Sequence, residues 1–324
     1  MNRRTFLCGL TLGTLAAPLA AEAQQGRLYR VGVVLQGGVY SAVIDGLRDG
    51  LKELGLEEGK QLVLLVHDAK GDLKLVEAAA RTLEAEKVDL IYAIATSVTL
   101  AAKRATTRVP IVFYAGTDPV TVGLVQSFRK PGGRLTGVHG QLNDLTAKRL
   151  EFLKEMIPSL RRVVTFYNPD NPAAQQSVKF ARDAARRLRV ALVERPVTSA
   201  EELRTAVAAF RPMEADAYFH VSDAMVVSQT DLLVEAVKAN RLPAMFTTKD
   251  AVTKGGLAAY GESYHALGRL SAKQVQRVLL GADPGTLPVE QLDRPQFFIN
   301  LKTAKALGLT IPQSILVRAD QLIE

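Results

Sequence analysis

The sequence predicts an α/β protein with two doubly wound lobes, each built on a parallel β-sheet. Three observations support this fold class. A strand–loop–helix–strand unit occurs near the start of the chain and again in its second half. Segments typical of strands and of helices alternate after each unit, which indicates parallel strands joined by helical crossovers. The 324 residues are also enough for two lobes of ordinary size.

The first unit opens with a valine-rich segment from Tyr29 to Leu35, which is typical of a strand buried on both faces. A turn at 36–38 follows it. Apolar side chains then recur at steps of three, four and three from Ile44 to Leu54, so they lie on one face of a helix. The first half continues with predicted strands at 61–66, 88–95, 109–115 and 135–138 and predicted helices at 73–84 and 98–105.

The second unit repeats this order with a strand from Arg162 to Tyr167, a turn at 168–172 and a helix from Ala173 to Leu188. Segment 141–145 is the expected hinge between the lobes, because a helix that carries Leu150 and Leu153 begins directly after it. The remaining strands are predicted at 190–194, 216–221, 243–247 and 257–260, and the remaining helices at 201–210 and 232–240.

The N-terminus predicts export. Residues 1–23 have the parts of a cleavable signal peptide: the basic pair Arg3-Arg4, an apolar run from Leu7 to Ala20 and the small-residue site Ala21-Glu22-Ala23. The run is too short for a transmembrane helix, which needs about 20 apolar residues. Adjacent arginines occur in twin-arginine signals and in ordinary ones, so both export routes remain open. We therefore expect a mature chain from Gln24 that is located in the periplasm.

The composition narrows the classes of function. The whole chain has a net charge of +8, and removal of residues 1–23, with two arginines and one glutamate, leaves 8 − 1 = +7. The basic residues are spread along the chain, so a solvated surface is favoured and no nucleic-acid partner is expected. The only cysteine, Cys8, lies in the predicted signal peptide. The mature chain therefore has no disulfide, thiol nucleophile or thiolate metal ligand.

Candidate ligand-binding residues follow from the predicted sheets. In an open parallel sheet, ligands bind beyond the carboxyl ends of the strands, where helix N-termini present free amide groups. The loops at those ends carry small, hydroxyl, amide, carboxylate and tyrosine side chains. The resulting candidate set is Gln36, Gly37, Tyr40, Thr96, Ser97, Tyr114, Thr117, Asp118, Asn168, Asp223, Tyr260 and Glu262.

Each candidate also has a structural alternative. Thr96 and Ser97 precede a helix, so they can hold a carboxylate or simply cap the helix, and the two roles are compatible. Asp118 and Asp223 can bind an ammonium group or act as turn and cap residues. Tyrosines at strand ends can wall a cleft for an aromatic or amino-acid-like solute, although core packing is the safer interpretation for any single one. These tyrosines are Tyr40, Tyr114, Tyr167 and Tyr260.

The search for catalytic motifs is largely negative. The chain lacks Gly-x-Ser-x-Gly and His-Glu-x-x-His, and the turn after the first strand lacks the dinucleotide pattern Gly-x-Gly-x-x-Gly. We therefore expect no cofactor and no enzyme activity, although carboxylates in a cleft keep an exported hydrolase open as an alternative. A metal site is not expected, because the four histidines are far apart and form no i, i+4 pair. They are His67, His139, His220 and His265.

The C-terminal third carries a specific signature. It comprises the segments Tyr260 to Arg269, Leu279 to Pro284 and Phe298 to Pro312. Shorter motifs precede it at Lys130-Pro131-Gly132-Gly133 and Asn168-Pro169. With these motifs, essentially the whole chain resembles the bacterial ABC-transporter substrate-binding proteins of the tryptophan/tyrosine-type family.

The resemblance implies a type I periplasmic binding fold, in which three crossing segments join two lobes and a solute binds between them. It implies crossings at Val138 to Asn143 and at Tyr260 to Glu262, and a return to the second lobe after about Leu287. The expected division is therefore 28–141 plus 262–285 for the first lobe and 142–261 plus 286–324 for the second. Some relatives bind aromatic amino acids.

The sequence therefore predicts a periplasmic solute-binding component of an ABC importer, acting as a monomer and delivering its ligand to a permease in the inner membrane. The ligand is expected to be an amino-acid-like or aromatic carboxylate that closes the hinge. Thr96, Ser97 and nearby amides would hold its carboxylate, and Tyr40 and Tyr260 would pack against its body. A ligand-sensing partner of a membrane sensor kinase is the main alternative.

Overall fold

The computed structural model describes residues 27–140, 142, 144–292 and 294–324. The predicted signal peptide lies outside the described residues, as do two positions of the predicted hinge, 141 and 143. Within the described part, the strands form a six-stranded and a seven-stranded sheet, which are the centres of a first and a second lobe. The prediction of an α/β fold with two parallel-sheet lobes is confirmed.

The first lobe contains the first half of the chain, one later helix and one short later strand. Its strands are β1 (Tyr29–Leu35), β2 (Leu62–Asp68), β3 (Leu90–Ile94), β4 (Ile111–Ala115), β5 (Leu135–His139) and, from much later in the chain, β11 (Glu290–Gln291). Its helices are α1 (Ser41–Glu53), α2 (Leu73–Ala85), α3 (Thr96–Ala105) and, after the second-lobe helices, α10 (Tyr264–Leu279).

The second lobe repeats the architecture. Its strands are β6 (Arg162–Tyr167), β7 (Ala191–Pro196), β8 (Ala217–Phe219), β9 (Ala244–Phe246), β10 (Ala258–Gly261), β12 (Gln296–Asn300) and β13 (Gln321–Ile323). Its helices are α4 (Asp144–Met156), α5 (Pro172–Leu188), α6 (Ala200–Ala209), α7 (Ala224–Ser228), α8 (Thr230–Ala239), α9 (Lys249–Thr253), α11 (Leu301–Ala306) and α12 (Gln313–Leu316).

The first five strands of each lobe have the same order in the two sheets. The first runs β11-β5-β4-β3-β1-β2, and the second runs β13-β12-β10-β9-β8-β6-β7. In both, the first strand of the lobe lies between its second and third strands, which is a doubly wound order with the chain reversing beside that first strand. Except for β12, which is antiparallel to β10, the paired strands are parallel. In each lobe, the carboxyl ends of the parallel strands therefore form an edge of the sheet where ligands typically bind.

The chain passes between the lobes after β5, after β10, and between β11 and β12. The lobe boundaries given by the sequence stay a prediction. However, β11 pairs with β5 of the first lobe through Glu290 and Gln291. This pairing favours a third passage after Gln291 rather than one near residue 286.

Helix α10 returns from the second passage and packs closely across α1. A Cβ atom at Gly46 would lie 1.9 Å from the carbonyl oxygen of His265, and one at Gly268 would lie 1.9 Å from that of Val43. Only glycine fits at such a separation, because a Cβ atom would overlap the opposing backbone. The two glycines thus fix α10, and with it the second passage, against the first lobe.

Candidate ligand-binding cleft

The carboxyl ends of the two sheets face each other across a narrow cleft, whose interior has room for about one water molecule in this arrangement of the lobes. Gly38 of the first lobe lies against the second, since a Cβ atom there would be 2.2 Å from the carbonyl oxygen of Ser228. Ala224 and Val227 of α7 are buried as part of the first lobe's apolar cluster. The two lobes are therefore in close contact around the cleft. Its lining residues are Tyr40, Ala95, Thr96, Ser97, Tyr114, Gly116, Leu142, Asn171, Ala173, Ser222 and Ala224.

The N-terminus of α3 points its first turn into this cleft. Ala95 precedes the helix with φ 94° and ψ 152°, a backbone conformation that costs a non-glycine residue about 1–3 kcal/mol. No side chain caps the helix, so the capping role considered for Thr96 and Ser97 is wrong. The amides of the first turn have no partner within the helix. Ser97 Oγ is buried and has no hydrogen-bond partner among the described residues.

Thr96 is held by the neighbouring loop after β4. The Thr117 hydroxyl donates to Thr96 Oγ1 at 2.9 Å, and both side chains are buried. Thr96 and Ser97 thus both line the cleft, and the hydrogen bond from Thr117 holds the Thr96 side chain in place. Asp118, in contrast, serves its own loop, because its carboxylate accepts from the Val120 amide and from the Thr121 hydroxyl. Burial alone would raise the pKa of Asp118, but these hydrogen bonds outweigh it and hold the pKa below its usual value.

Tyrosines form one wall of the cleft. The rings of Tyr40 and Tyr264 stack with their centroids 5.2 Å apart, and Tyr114 lies tilted at 6.0 Å from Tyr264. Burial raises the pKa of Tyr40 and of Tyr114, so both phenols are neutral. The Tyr114 hydroxyl is buried with no hydrogen-bond partner among the described residues. Two of the four predicted tyrosines therefore lie at the cleft.

The other two tyrosines lie elsewhere in the second lobe. The Tyr167 hydroxyl donates to Glu194 at 2.9 Å. Tyr260 packs against Phe152 and Phe297, at centroid distances of 5.0 and 6.0 Å. Neither lines the cleft in this arrangement of the lobes. For both side chains, packing within the lobe accounts for their position.

The second lobe presents Asp223 at the N-terminus of α7. One carboxylate oxygen accepts from the Val226 amide at 3.1 Å, and the other accepts from the Asn168 amide at 3.0 Å and from Asn171 Nδ2 at 3.3 Å. Burial raises the pKa of Asp223, and these hydrogen bonds offset part of the shift. The predicted cap role is confirmed. Its neighbours Ser222 and Ala224 line the cleft.

The remaining candidates lie around the cleft rather than in its lining. Gln36 is buried, and its Oε1 has no hydrogen-bond partner among the described residues. Gly37 has φ 81°, and a Cβ atom there would lie 2.5 Å from a carboxylate oxygen of Asp68, so only glycine fits this turn. Glu262 is buried at the second passage, with its carboxylate against the backbone of Gly140.

Sequence reasoning missed two buried polar residues that adjoin the lining of the cleft, Arg149 through its hydrogen bond to Leu142 and His220 through nearby Ser222. Arg149 of α4 is 0% exposed, and its Nε and Nη1 atoms have no hydrogen-bond partner among the described residues. His220, which follows β8, is 1% exposed, and its Nε2 atom also has no hydrogen-bond partner among the described residues. Arg149 could have been found, because it stands four residues before Leu153 on the apolar face of its helix. His220 carried no such signal.

Two other kinds of feature, a metal site and a membrane span, are absent from the described residues. Nowhere in this part of the chain do three or more histidine, cysteine or acidic side chains gather to hold a metal ion. None of its helices is long and apolar enough to cross a membrane.

Two lobes of similar topology around a polar cleft define the class of two-lobed proteins with the type I periplasmic binding fold. The comparisons with known proteins identify the family within this class. A family model described as "ABC transporter substrate binding protein" matches residues 30–323. The chain belongs to this family and is a substrate-binding protein of an ABC transporter. More distant solute-binding proteins of ABC transporters share its type I periplasmic binding fold.

Three relatives show the extent of the similarity. A tyrosine-binding protein from Clostridioides difficile is 30% identical over 264 residues, which are 82% of this chain and 76% of that protein. The structure of an ABC domain in complex with L-Trp from Streptococcus pneumonia is 27% identical, with a TM-score of 0.82 and coverage of 91% of this chain and 99% of that one. A conserved domain protein from Vibrio cholerae has a TM-score of 0.84 at 29% identity, with the same coverage.

Proposed function

We propose that this protein is the periplasmic receptor of an ABC importer for an aromatic amino acid or a similar aromatic carboxylate. The observation that carries the proposal is the set of buried polar atoms without partners at the cleft, Ser97 Oγ and Tyr114 OH. Buried polar groups are nearly always hydrogen-bonded, so such atoms beside a cleft indicate a missing polar guest. The tyrosine-binding and L-Trp-bound relatives support the aromatic class of ligand.

The N-terminus of α3 is the best position for the ligand's carboxylate. Free amides and the positive end of the helix dipole favour an anion there, and the Ser97 hydroxyl adds a donor. For the ammonium group, Asp223 is the better of the two predicted carboxylates, because its neighbours line the cleft whereas Asp118 is turned to its own loop. The rings of Tyr40 and Tyr114 would pack against the body of the ligand.

Closure of the lobes would couple binding to delivery. A ligand held by α3 of the first lobe and by the loop before α7 of the second contacts both lobes only when they are together. Its binding free energy therefore favours the closed arrangement, which an inner-membrane permease can distinguish from the open one. We place the receptor in the periplasm on the basis of residues 1–23, with the twin-arginine and general export routes both open, and as a monomer.

Isothermal titration calorimetry with L-tyrosine, L-tryptophan and L-phenylalanine tests this proposal. At about 100 times the Kd, a ligand should also raise the free energy of unfolding by about 2.7 kcal/mol, which a thermal shift detects. Ser97→Ala should weaken binding by about 10- to 150-fold, because a hydrogen bond to a charged group contributes about 1.5–3 kcal/mol. The exposed Ser159→Ala is the matched control. The proposal fails if no aromatic amino acid binds, or if both variants bind as the wild type does.

A further inference from the structure

Arg149 is a buried cation with an incomplete set of partners. Its Nη2 atom donates to the carbonyl oxygen of Leu142 at 3.1 Å and to Thr146 Oγ1 at 2.9 Å. Its other two nitrogens have no hydrogen-bond partner in the part of the chain that the structure describes. Burial lowers the pKa of Arg149 to about 10, so the side chain is still charged at neutral pH.

Such an arrangement is costly unless something else binds there. Removing a guanidinium from water without pairing it costs several kcal/mol, and each unmade hydrogen bond adds to the cost. The negative charge of Glu262 acts on Arg149 from nearby and favours its charged form. Even so, Arg149 Nε and Nη1 have no hydrogen-bond partner among the described residues. A packing role alone would be better served by an apolar side chain at this position.

His220 presents a further open atom in the same region. The Tyr218 hydroxyl and His220 Nδ1 are 2.7 Å apart. When Tyr218 donates this bond, His220 Nε2 carries the ring hydrogen and is a donor without a partner. Burial, together with the charge of Arg149, lowers the pKa of His220 to about 3, so the ring is neutral. The two residues thus offer several donors and no acceptor carboxylate of their own.

Arg149 and His220 are not themselves in the lining of the cleft, but both adjoin residues that are. Ser222, two residues after His220, is one of these lining residues. Leu142 lines the cleft, and its carbonyl oxygen is the one that binds Arg149. Tyr264, which stacks on the cleft-lining Tyr40, is close enough to Arg149 to interact with it electrostatically. The N-terminus of α3, with Ser97, occupies a different part of the lining. Unused donors therefore occur in both lobes: Ser97 lies in the lining of the cleft, and Arg149 and His220 lie behind lining residues of the second lobe.

We propose that Arg149 and His220 form a second subsite, which receives a hydrogen-bond-accepting oxygen at the end of the ligand remote from its α-carboxylate. This inference rests on the proposed function and narrows its ligand class. L-Tyrosine carries such an oxygen on its ring, as does an aromatic amino acid with a second carboxylate. L-Phenylalanine carries none, and the indole nitrogen of L-tryptophan is a donor only. A subsite built of buried donors rejects a ligand that leaves them unpaired.

Calorimetry with a series of ring-substituted ligands tests the subsite in the mature full-length chain. The ligands are L-tyrosine, L-phenylalanine, 4-amino-L-phenylalanine and 4-carboxy-L-phenylalanine. The wild type should prefer L-tyrosine to L-phenylalanine by about 10- to 150-fold, the range for a hydrogen bond to a charged group. In Arg149→Met this preference should fall to within about threefold, with L-phenylalanine affinity retained. Arg149→Lys, which keeps the charge, is the second variant in case Arg149→Met does not fold, and it should lower the preference in the same direction.

Lys148→Met is the matched control, because Lys148 is on the same helix but partly exposed, with its ammonium over the Phe152 ring. It should leave the preference unchanged. Tighter binding of 4-carboxy-L-phenylalanine than of L-tyrosine would support the subsite and assign it to a second carboxylate, and the reverse order would assign it to a phenolic oxygen. Equal binding of L-tyrosine, L-phenylalanine and 4-amino-L-phenylalanine by the wild type, or an unchanged preference in both Arg149 variants, would overturn the inference. If the wild type binds no ligand of the series, the subsite inference fails, and the proposed function fails as well if L-tryptophan does not bind either.

Discussion

Replacing Gly38 by alanine should weaken ligand binding by obstructing closure of the lobes. The added Cβ atom would lie 2.2 Å from the carbonyl oxygen of Ser228 in the opposite lobe. A carbon and an oxygen in contact need roughly 3.2 Å, so the lobes would have to part by about 1 Å at this point. Overpacking of this kind costs about 1–3 kcal/mol, which corresponds to about a 5- to 150-fold rise in Kd. The open state carries no such cost, because Ser228 is then absent from the contact.

Gly133→Ala is a closely matched control for this variant. Gly133 has φ 63°, Gly38 has φ 61°, and a Cβ atom at Gly133 would meet nothing within 4 Å. Both alanines carry the strain of a left-handed backbone, about 1–2 kcal/mol, so both should lower the midpoint of urea unfolding. Only Gly38→Ala should raise the Kd measured by calorimetry. Equal affinities for the two variants would refute the assignment of Gly38 to the closing surface.

Three further variants test other parts of the structure. His220→Gln should make the protein less sensitive to acid. The pKa of His220 in the folded protein is about 3, below the usual 6.5, so the wild type loses stability as pH falls from 6.5 towards 3, with a loss of roughly 2 kcal/mol by pH 5. Urea unfolding at pH 7 and at pH 5 should show a smaller loss of stability in the variant. Gly268→Ala should lower the free energy of unfolding by about 1–3 kcal/mol or more, because its Cβ atom would lie 1.9 Å from the Val43 carbonyl oxygen. An unchanged midpoint of urea unfolding would contradict the close packing of α10 on α1. Ala95→Gly should raise the free energy of unfolding by up to about 2 kcal/mol, because glycine adopts a φ of 94° without strain. A loss of stability on urea unfolding would show that Ala95 is not strained.

The strands were predictable because burial on both faces leaves a plain signal in the sequence. The predicted bounds of β1 and β6 agree with the structure at both ends. The first helix of the pattern was also found, because its apolar face repeats at helical spacing. The start of α3 was set two residues too late, at Val98 instead of Thr96. The helix starts from an unusual backbone conformation at Ala95, and no propensity predicts that for alanine.

The candidate site was predictable only as a set of loops. The rule that ligands bind at the carboxyl ends of parallel strands depends on strand order alone, and it correctly predicted that Tyr40, Ser97 and Tyr114 lie at one cleft. It gave no information on side-chain direction, and so it also selected Tyr260, which packs in the second lobe. The rule selects only loops at strand ends, so it could not select Arg149, which lies within α4. Unused hydrogen-bonding atoms become visible only when all partners are placed.

The distance between the two lobes, measured with and without ligand, tests the central claim most directly. Residues 24–324 contain no cysteine, so Arg81→Cys and Arg204→Cys in a chain of these residues introduce a single pair of spin-label sites, one on α2 and one on α6. Both side chains are exposed. Pulsed electron paramagnetic resonance should give a longer distance in the ligand-free protein and a shorter, narrower distribution with saturating aromatic amino acid. One unchanged distribution under both conditions, with binding confirmed by calorimetry, would contradict a receptor that works by closing its lobes on a solute.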